Sequence, residues 1–140
     1  MLSRTARHAA AAVIALAELP PGAYAGAGDI ADQIKAPRNY LGKLLKTLAD
    51  EEVLESQKGK GGGFRLAREA ERISLFDVVE PIDHVSRWGG CLLGRSRCSD
   101  ESPCAVHFRW ARVRDVYLKF LQDTTIADLV NQPELQASAR

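Results

Sequence analysis

The segment Lys58-Gly59-Lys60-Gly61-Gly62-Gly63 limits what this chain can fold into more than any other. Four glycines in six residues cannot continue a helix, because glycine gives up more backbone freedom on ordering than any other residue. A short extended run, Val53-Leu54-Glu55-Ser56-Gln57, precedes the tip, and Phe64-Arg65-Leu66 follows it. Run, glycine-rich tip and run predict a β-hairpin. A phosphate loop of the Walker type would end in Gly-Lys-Ser/Thr and open a helix. This tip leads into a strand, so nucleotide hydrolysis is rejected.

Helices are predicted on both sides. Residues 5–19 form an Ala-rich amphipathic helix ended by Pro20-Pro21-Gly22. Arg4 and Arg7 ahead of the alanines, with Ala23-Tyr24-Ala25 behind, mimic a secretory leader. The stretch is only weakly hydrophobic and runs into Glu18 and Pro20-Pro21, so the helix is the better reading. Gly26 and Gly28 suggest a loose linker, followed by a short helix over 29–34. Pro37 suits the first turn of a third helix, in which Tyr40, Leu41, Leu44, Leu45 and Leu48 make one apolar stripe. After the hairpin, Ser74 caps a helix from Leu75 to about residue 80, with Asp77 as the capping-box acid. Pro81 should end or kink it. Residues 86–103 read as a loop. A long helix from about residue 105 carries Val106, Trp110, Val113, Val116, Tyr117, Phe120 and Leu121 on one side, and Thr125 and Asp128 suggest a last capped turn.

The expected organisation is a winged helix-turn-helix over 1–84, a cysteine-rich loop over 85–104, a dimerisation helix over 105–130 and a flexible tail over 131–140. The fold class is mainly α with a small β-wing. With 140 residues, 46% hydrophobic and 26% charged, the chain can bury one ordinary core. A net charge of +1 excludes a polybasic tail but not a local basic face. No run approaches the roughly eighteen apolar residues of a membrane span, so no membrane partner is expected.

Three helices followed by a two-stranded wing can neutralise phosphate and read bases: the third helix enters a major groove while the wing reaches the neighbouring backbone. From Ser56 to Arg68 the wing holds Lys58, Lys60, Arg65 and Arg68 and no acid. The helix adds Arg38, Asn39, Lys43 and Lys46, and Tyr40 near its start is within reach of phosphate. The expected partner is double-stranded DNA. Such a module needs two copies on a palindromic operator, which makes the long helix the natural homodimer seam, through Trp110, Val113, Tyr117 and Phe120. The same stripe can also serve as core within one chain.

Cys91, Cys98 and Cys104 fall within fourteen residues, and His107 follows. An odd cysteine count argues against a secreted disulfide scaffold and for a reducing, cytoplasmic setting. Three thiolates and an imidazole make a four-ligand set for zinc or an iron–sulfur cluster. Gaps of six, five and two residues suit a cluster better than zinc, which prefers shorter knuckles. His8 and His84 are rival ligands. Arg87, Arg95 and Arg97 either balance the cluster's charge or are simply solvated. A loop of redox-active thiols is the alternative; a thiol enzyme or an iron–sulfur carrier lacks an announced pocket or partner surface.

Taken together these residues resemble the Rrf2 family of bacterial transcription regulators. The likeness lies in Gly59-Lys60-Gly61-Gly62-Gly63-Phe64-Arg65-Leu66-Ala67, in Ile73-Ser74-Leu75-Phe76-Asp77-Val78-Val79, in the cysteine loop with His107-Phe108-Arg109-Trp110, and in Thr124-Thr125-Ile126-Ala127-Asp128-Leu129. It spans about residues 2–130. It implies a homodimeric winged-helix repressor or activator that senses redox, nitric oxide or iron–sulfur status. It also implies a [2Fe–2S] cluster on Cys91, Cys98, Cys104 and His107, with [4Fe–4S] as the alternative. In a nitric-oxide-sensing branch a carboxylate from the partner's first helix is the fourth ligand; the matching neighbourhood here holds Arg7 and His8 and no acid. The chain departs from the family in a longer first cysteine gap, in Lys35 where glycine is common, in Gly42 where relatives carry a polar residue, and in Lys58 where a wing arginine is usual.

Overall fold

The computed structural model describes residues 2–89, 92–93, 101 and 103–130. Cys91, Cys98, Arg95, Arg97 and the expected tail over 131–140 lie outside them.

Ser3 starts α1 (Arg4–Ala17) by accepting a hydrogen bond from the Ala6 amide at 3.0 Å. The stretch that mimics a leader is core: Ala9, Ala12 and Val13 have no exposed surface. Their small side chains let α1 lie close against its neighbours. α2 (Ala27–Ile34) and α3 (Arg38–Asp50) bring Ile30, Ala31, Leu41, Leu45 and Leu48 into the same core. Between them Lys35 closes α2 in the left-handed region at φ 60°. A lysine there carries strain of about 1 kcal/mol that a glycine would not. Val53 and Leu54, Ile73, Val78 and Ile126 complete the cluster.

The hairpin forms as expected. β1 (Leu54–Gln57) pairs antiparallel with β2 (Gly63–Leu66), Leu54 opposite Leu66 and Gln57 opposite Gly63. The linker before α2 is not loose, however. The Ala25 amide donates to the Phe64 carbonyl at 3.0 Å, and the Phe64 amide donates back to Ala25 at 2.8 Å. Ala25 thus acts as a third, one-residue strand, and Gly26 becomes the N-cap of α2. Glycine content reports only conformational freedom; the pairing of Ala25 with the distant Phe64 removes it. Gly63 permits this approach: at φ 137°, an added Cβ would sit 2.3 Å from the Ala25 carbonyl oxygen. Gly63→Ala should therefore lower stability by about 3 kcal/mol in urea denaturation. A loss below about 1 kcal/mol would show that the wing root has room to shift.

α4 (Leu75–Asp83) begins with the expected capping box, Ser74 and Asp77. It does not stop at Pro81, which lies inside the helix. Ile82 packs on both hydrophobic clusters, and Asp83 accepts from the Ser3 amide at 2.9 Å and from the Ser3 hydroxyl. These contacts outweigh the single backbone hydrogen bond that proline removes. A short 3-10 turn, Val85–Gly89, follows.

α5 (His107–Asp123) and α6 (Ile126–Leu129) close the described chain. Leu121 joins Ala6, Leu75, Val79 and Val85 in a second cluster. The Leu75 amide donates to Thr124 at 2.7 Å, and the Ile126 amide to Ile73 at 2.8 Å. The capping boxes Ser74/Asp77 and Thr125/Asp128 thereby stand side by side across an isolated bridge. No helix among the described residues is long and apolar enough to cross a membrane.

Candidate nucleic-acid interface and candidate metal ligands

The basic residues of α3 and the wing divide by what already holds them. Arg38, the first residue of α3, makes a two-pronged ion pair with Asp32 of α2, Nε to Oδ1 at 3.1 Å and Nη2 to Oδ2. The hydrogen bond from Arg38 keeps the Asp32 carboxyl below the usual carboxylate range. Gly28 leaves the space the guanidinium occupies: an added Cβ there would lie 3.3 Å from Arg38 Nη1. Asn39, Lys43 and Lys46 are exposed, and neither lysine has an ion pair among the described residues. Tyr40 is half-buried, its hydroxyl 3.1 Å from Nδ1 of His8 on α1.

The wing divides the same way. Lys58 and Lys60 are exposed at the tip, with no ion pair among the described residues. Arg65 is engaged within the chain: it pairs with Glu55 across the strands, donates to the Gly22 carbonyl at 3.3 Å and lies 4.4 Å over the Tyr24 ring. Arg68 donates to the carbonyls of Arg72 and Glu52, both at 3.0 Å, and pairs with Asp77 at 3.1 Å. It ties the base of the wing to the start of α4. The cations left for an outside polyanion are thus Lys43, Lys46, Lys58 and Lys60. Charge counting along the sequence could not separate them from Arg65 and Arg68, because Glu55, Asp77 and Tyr24 reach the arginines only through the fold.

At the other end, Cys104 is buried and His107 is the first residue of α5. The His107 amide donates to the Cys104 carbonyl at 3.1 Å, and the Phe108 ring stands edge-on to the imidazole at 4.9 Å. Cys91 and Cys98 fall outside the described residues, within which no group of three or more metal-ligating side chains occurs. The thiol and imidazole described fit the donor chemistry of a cluster or zinc, placed at one helix start. The Trp110 Nε1 is buried and has no hydrogen-bond partner among the described residues. Of the rival ligands, His8 is engaged with Tyr40, while His84 is exposed and closes α4 at φ 50°.

The apolar side of α5 divides into two faces. Leu121 is fully buried, and Tyr117 packs on the second cluster, where burial and the Asp83 carboxylate push its hydroxyl above the ordinary tyrosine range. Val113, Val116 and Phe120 are 60%, 71% and 53% exposed. Trp110 lies between the two, partly exposed.

A helical core whose third helix and wing tip present lysines with no ion pair among the described residues defines a winged helix-turn-helix regulator of transcription that binds DNA. The family model for Rrf2, described as an iron-dependent transcriptional regulator, matches residues 2–132. The chain belongs to the Rrf2 family. A protein of Aquifex aeolicus described as an HTH-type transcriptional regulator is 36% identical over 108 residues, covering 76% of this chain and 75% of that one. The transcriptional regulator IscR of Escherichia coli is 26% identical over 134 residues, 96% of this chain and 82% of IscR. Among solved structures, CymR, the global cysteine regulator of B. subtilis, superposes with a TM-score of 0.74 at 25% identity, covering 92% of this chain and 95% of CymR. These relatives are regulators rather than enzymes.

Proposed function

We propose that this protein is a homodimeric regulator that reads a palindromic duplex through α3 and the wing tip. It senses redox, nitric oxide or iron–sulfur status through a [2Fe–2S] cluster held by Cys91, Cys98, Cys104 and His107. The observation that carries the reading is the double use of α5. Its first residue is His107, with Cys104 three residues ahead of it, and its length exposes Val113, Val116 and Phe120, enough apolar surface to seek a second copy. When bound, such a cluster supplies an iron centre that exchanges electrons and reacts with small oxidants or nitric oxide.

The chain's own part is mechanical. The tail of α5 is stapled to α4 through Thr124 and Leu75, and Glu80 holds Ser86 at the opposite end of α4, its carboxylate accepting from the Ser86 amide at 2.9 Å. Residues 86–103 connect these two elements, so how they are held sets the seam against the wing domain. Asn39, Lys43 and Lys46 meet the groove and backbone, Lys58 and Lys60 the flanking phosphates. Arg38 and Arg65 shape those surfaces from within.

Anaerobic purification, with a visible spectrum and iron, sulfide and zinc analysis on one sample, tests the sensor. About two irons and two sulfides per chain are expected. About four of each would replace the cluster by [4Fe–4S] and reopen the fourth ligand. Stoichiometric zinc without sulfide would make the centre structural. Absence of all three would leave a thiol-based regulator.

A further inference from the structure

The start of α3 has no side-chain cap: at the N-cap position Pro37 offers only its backbone carbonyl, which accepts from the Leu41 amide at 2.9 Å. The pose of its first turn therefore depends on tertiary braces. Arg38 supplies one, to Asp32 on α2. Tyr40 supplies the other, to His8 on α1, with the rings edge-on at 5.6 Å and 77° and the Tyr40 hydroxyl 3.1 Å from Nδ1.

We propose that His8 is a positioning residue for DNA recognition, its ring nitrogen holding the Tyr40 hydroxyl so that the hydroxyl can donate to a phosphate oxygen of the duplex. The inference rests on the reading of α3 as the DNA-facing helix. Tyr40 lies between exposed Asn39 and Lys43 on the first turns of α3, with its ring packed against the main core. A phosphate oxygen accepts and never donates, so a tyrosine that binds one must keep its own O–H available. The tautomer of His8 with hydrogen on Nδ1 achieves this: the ring donates to the phenolic oxygen, and the phenolic hydrogen is left for the ligand. Burial, then Arg4 and Arg7, hold the His8 pKa below its ordinary value, which favours the neutral ring. Without His8 the Tyr40 hydroxyl has no brace from α1 and must be ordered at the moment of binding.

The test uses the full chain and a fluorescein-labelled duplex that the wild-type protein has selected from a random-sequence pool. His8→Phe keeps the edge-on ring and removes the hydrogen bond. His8→Asn places an amide N–H near the position of Nδ1 and removes the ring. His8→Phe and Tyr40→Phe should each weaken binding about five- to tenfold, and the double variant no more than the weaker of the two. His8→Asn should stay within about twofold of wild type. Thermal melting of each variant separates a folding defect from a binding one, and Tyr40→Phe against His8→Asn decides the matter if His8→Phe unfolds. Wild-type affinity in His8→Phe, additive losses in the double variant, or no rescue by asparagine each overturns the inference. Lys43→Ala separates the two levels. If it weakens binding while His8→Phe does not, α3 still reads DNA and His8 does not position it. If neither changes affinity, the DNA-facing reading of α3 fails and the inference fails with it.

Discussion

Reversing both tip charges, Lys58→Glu with Lys60→Glu, should weaken duplex binding about a hundredfold or more at physiological salt. Both lysines are exposed, and neither is paired within the described chain, so their charge is available to phosphate. Removing each lysine–phosphate interaction should also flatten the log–log dependence of affinity on salt by about 0.9. Replacing both lysines by alanine removes the attraction without adding repulsion, and should cost about tenfold with the same change of slope. Stability should stay within about 0.5 kcal/mol, because no packing or ion pair is disturbed. Anisotropy titrations across a salt series, with melting curves beside them, measure all three. An unchanged salt slope would remove the wing from the interface. Arg65→Ala makes the contrast: it should lower stability as well as affinity, because it strips the pair with Glu55 and the stacking over the Tyr24 ring.

The second large effect is expected at Cys104. Cys104→Ser keeps the volume of a buried side chain while replacing a soft thiolate donor with a hard hydroxyl. Iron and sulfide per chain should fall at least tenfold after anaerobic purification, and DNA affinity should stop responding to nitric oxide or air. Alanine is the poorer choice at a buried position because it opens a cavity. A Cys104→Ser protein that loads iron and sulfide normally and still responds would sink the proposed ligand set. The circular dichroism spectrum should remain that of the folded chain, since the main core contains no cysteine.

Much of the fold was legible because local rules and the final structure agree. The glycines of the tip, the apolar spacing in α3, and the boxes Ser74/Asp77 and Thr125/Asp128 each express a short-range preference that packing does not oppose. Where packing does oppose it, the local reading failed. Pro81 lies within α4 because Ile82 and Asp83 are held by other parts of the chain. The linker before α2 is pinned because Ala25 pairs with Phe64. The candidate site shows the same division. All eight basic, polar or aromatic positions proposed for DNA were visible as residue types, yet five are exposed with no side-chain partner among the described residues: Asn39, Lys43, Lys46, Lys58 and Lys60. Arg38, Tyr40 and Arg65 are braced by Asp32, His8 and Glu55, partners no spacing rule supplies.

By itself, then, the sequence determined the order of helices and hairpin, the family motifs and the chemical inventory of thiols, imidazoles and cations. These follow from periodicity, turn chemistry and residue type, which are properties of neighbouring residues. Only the tertiary structure decided which cations remain available to an outside anion, which side of α5 is core and which is exposed, and that His8 meets Tyr40. Charge pairing and burial depend on residues distant along the chain, and close approach in space is what sets their free energy.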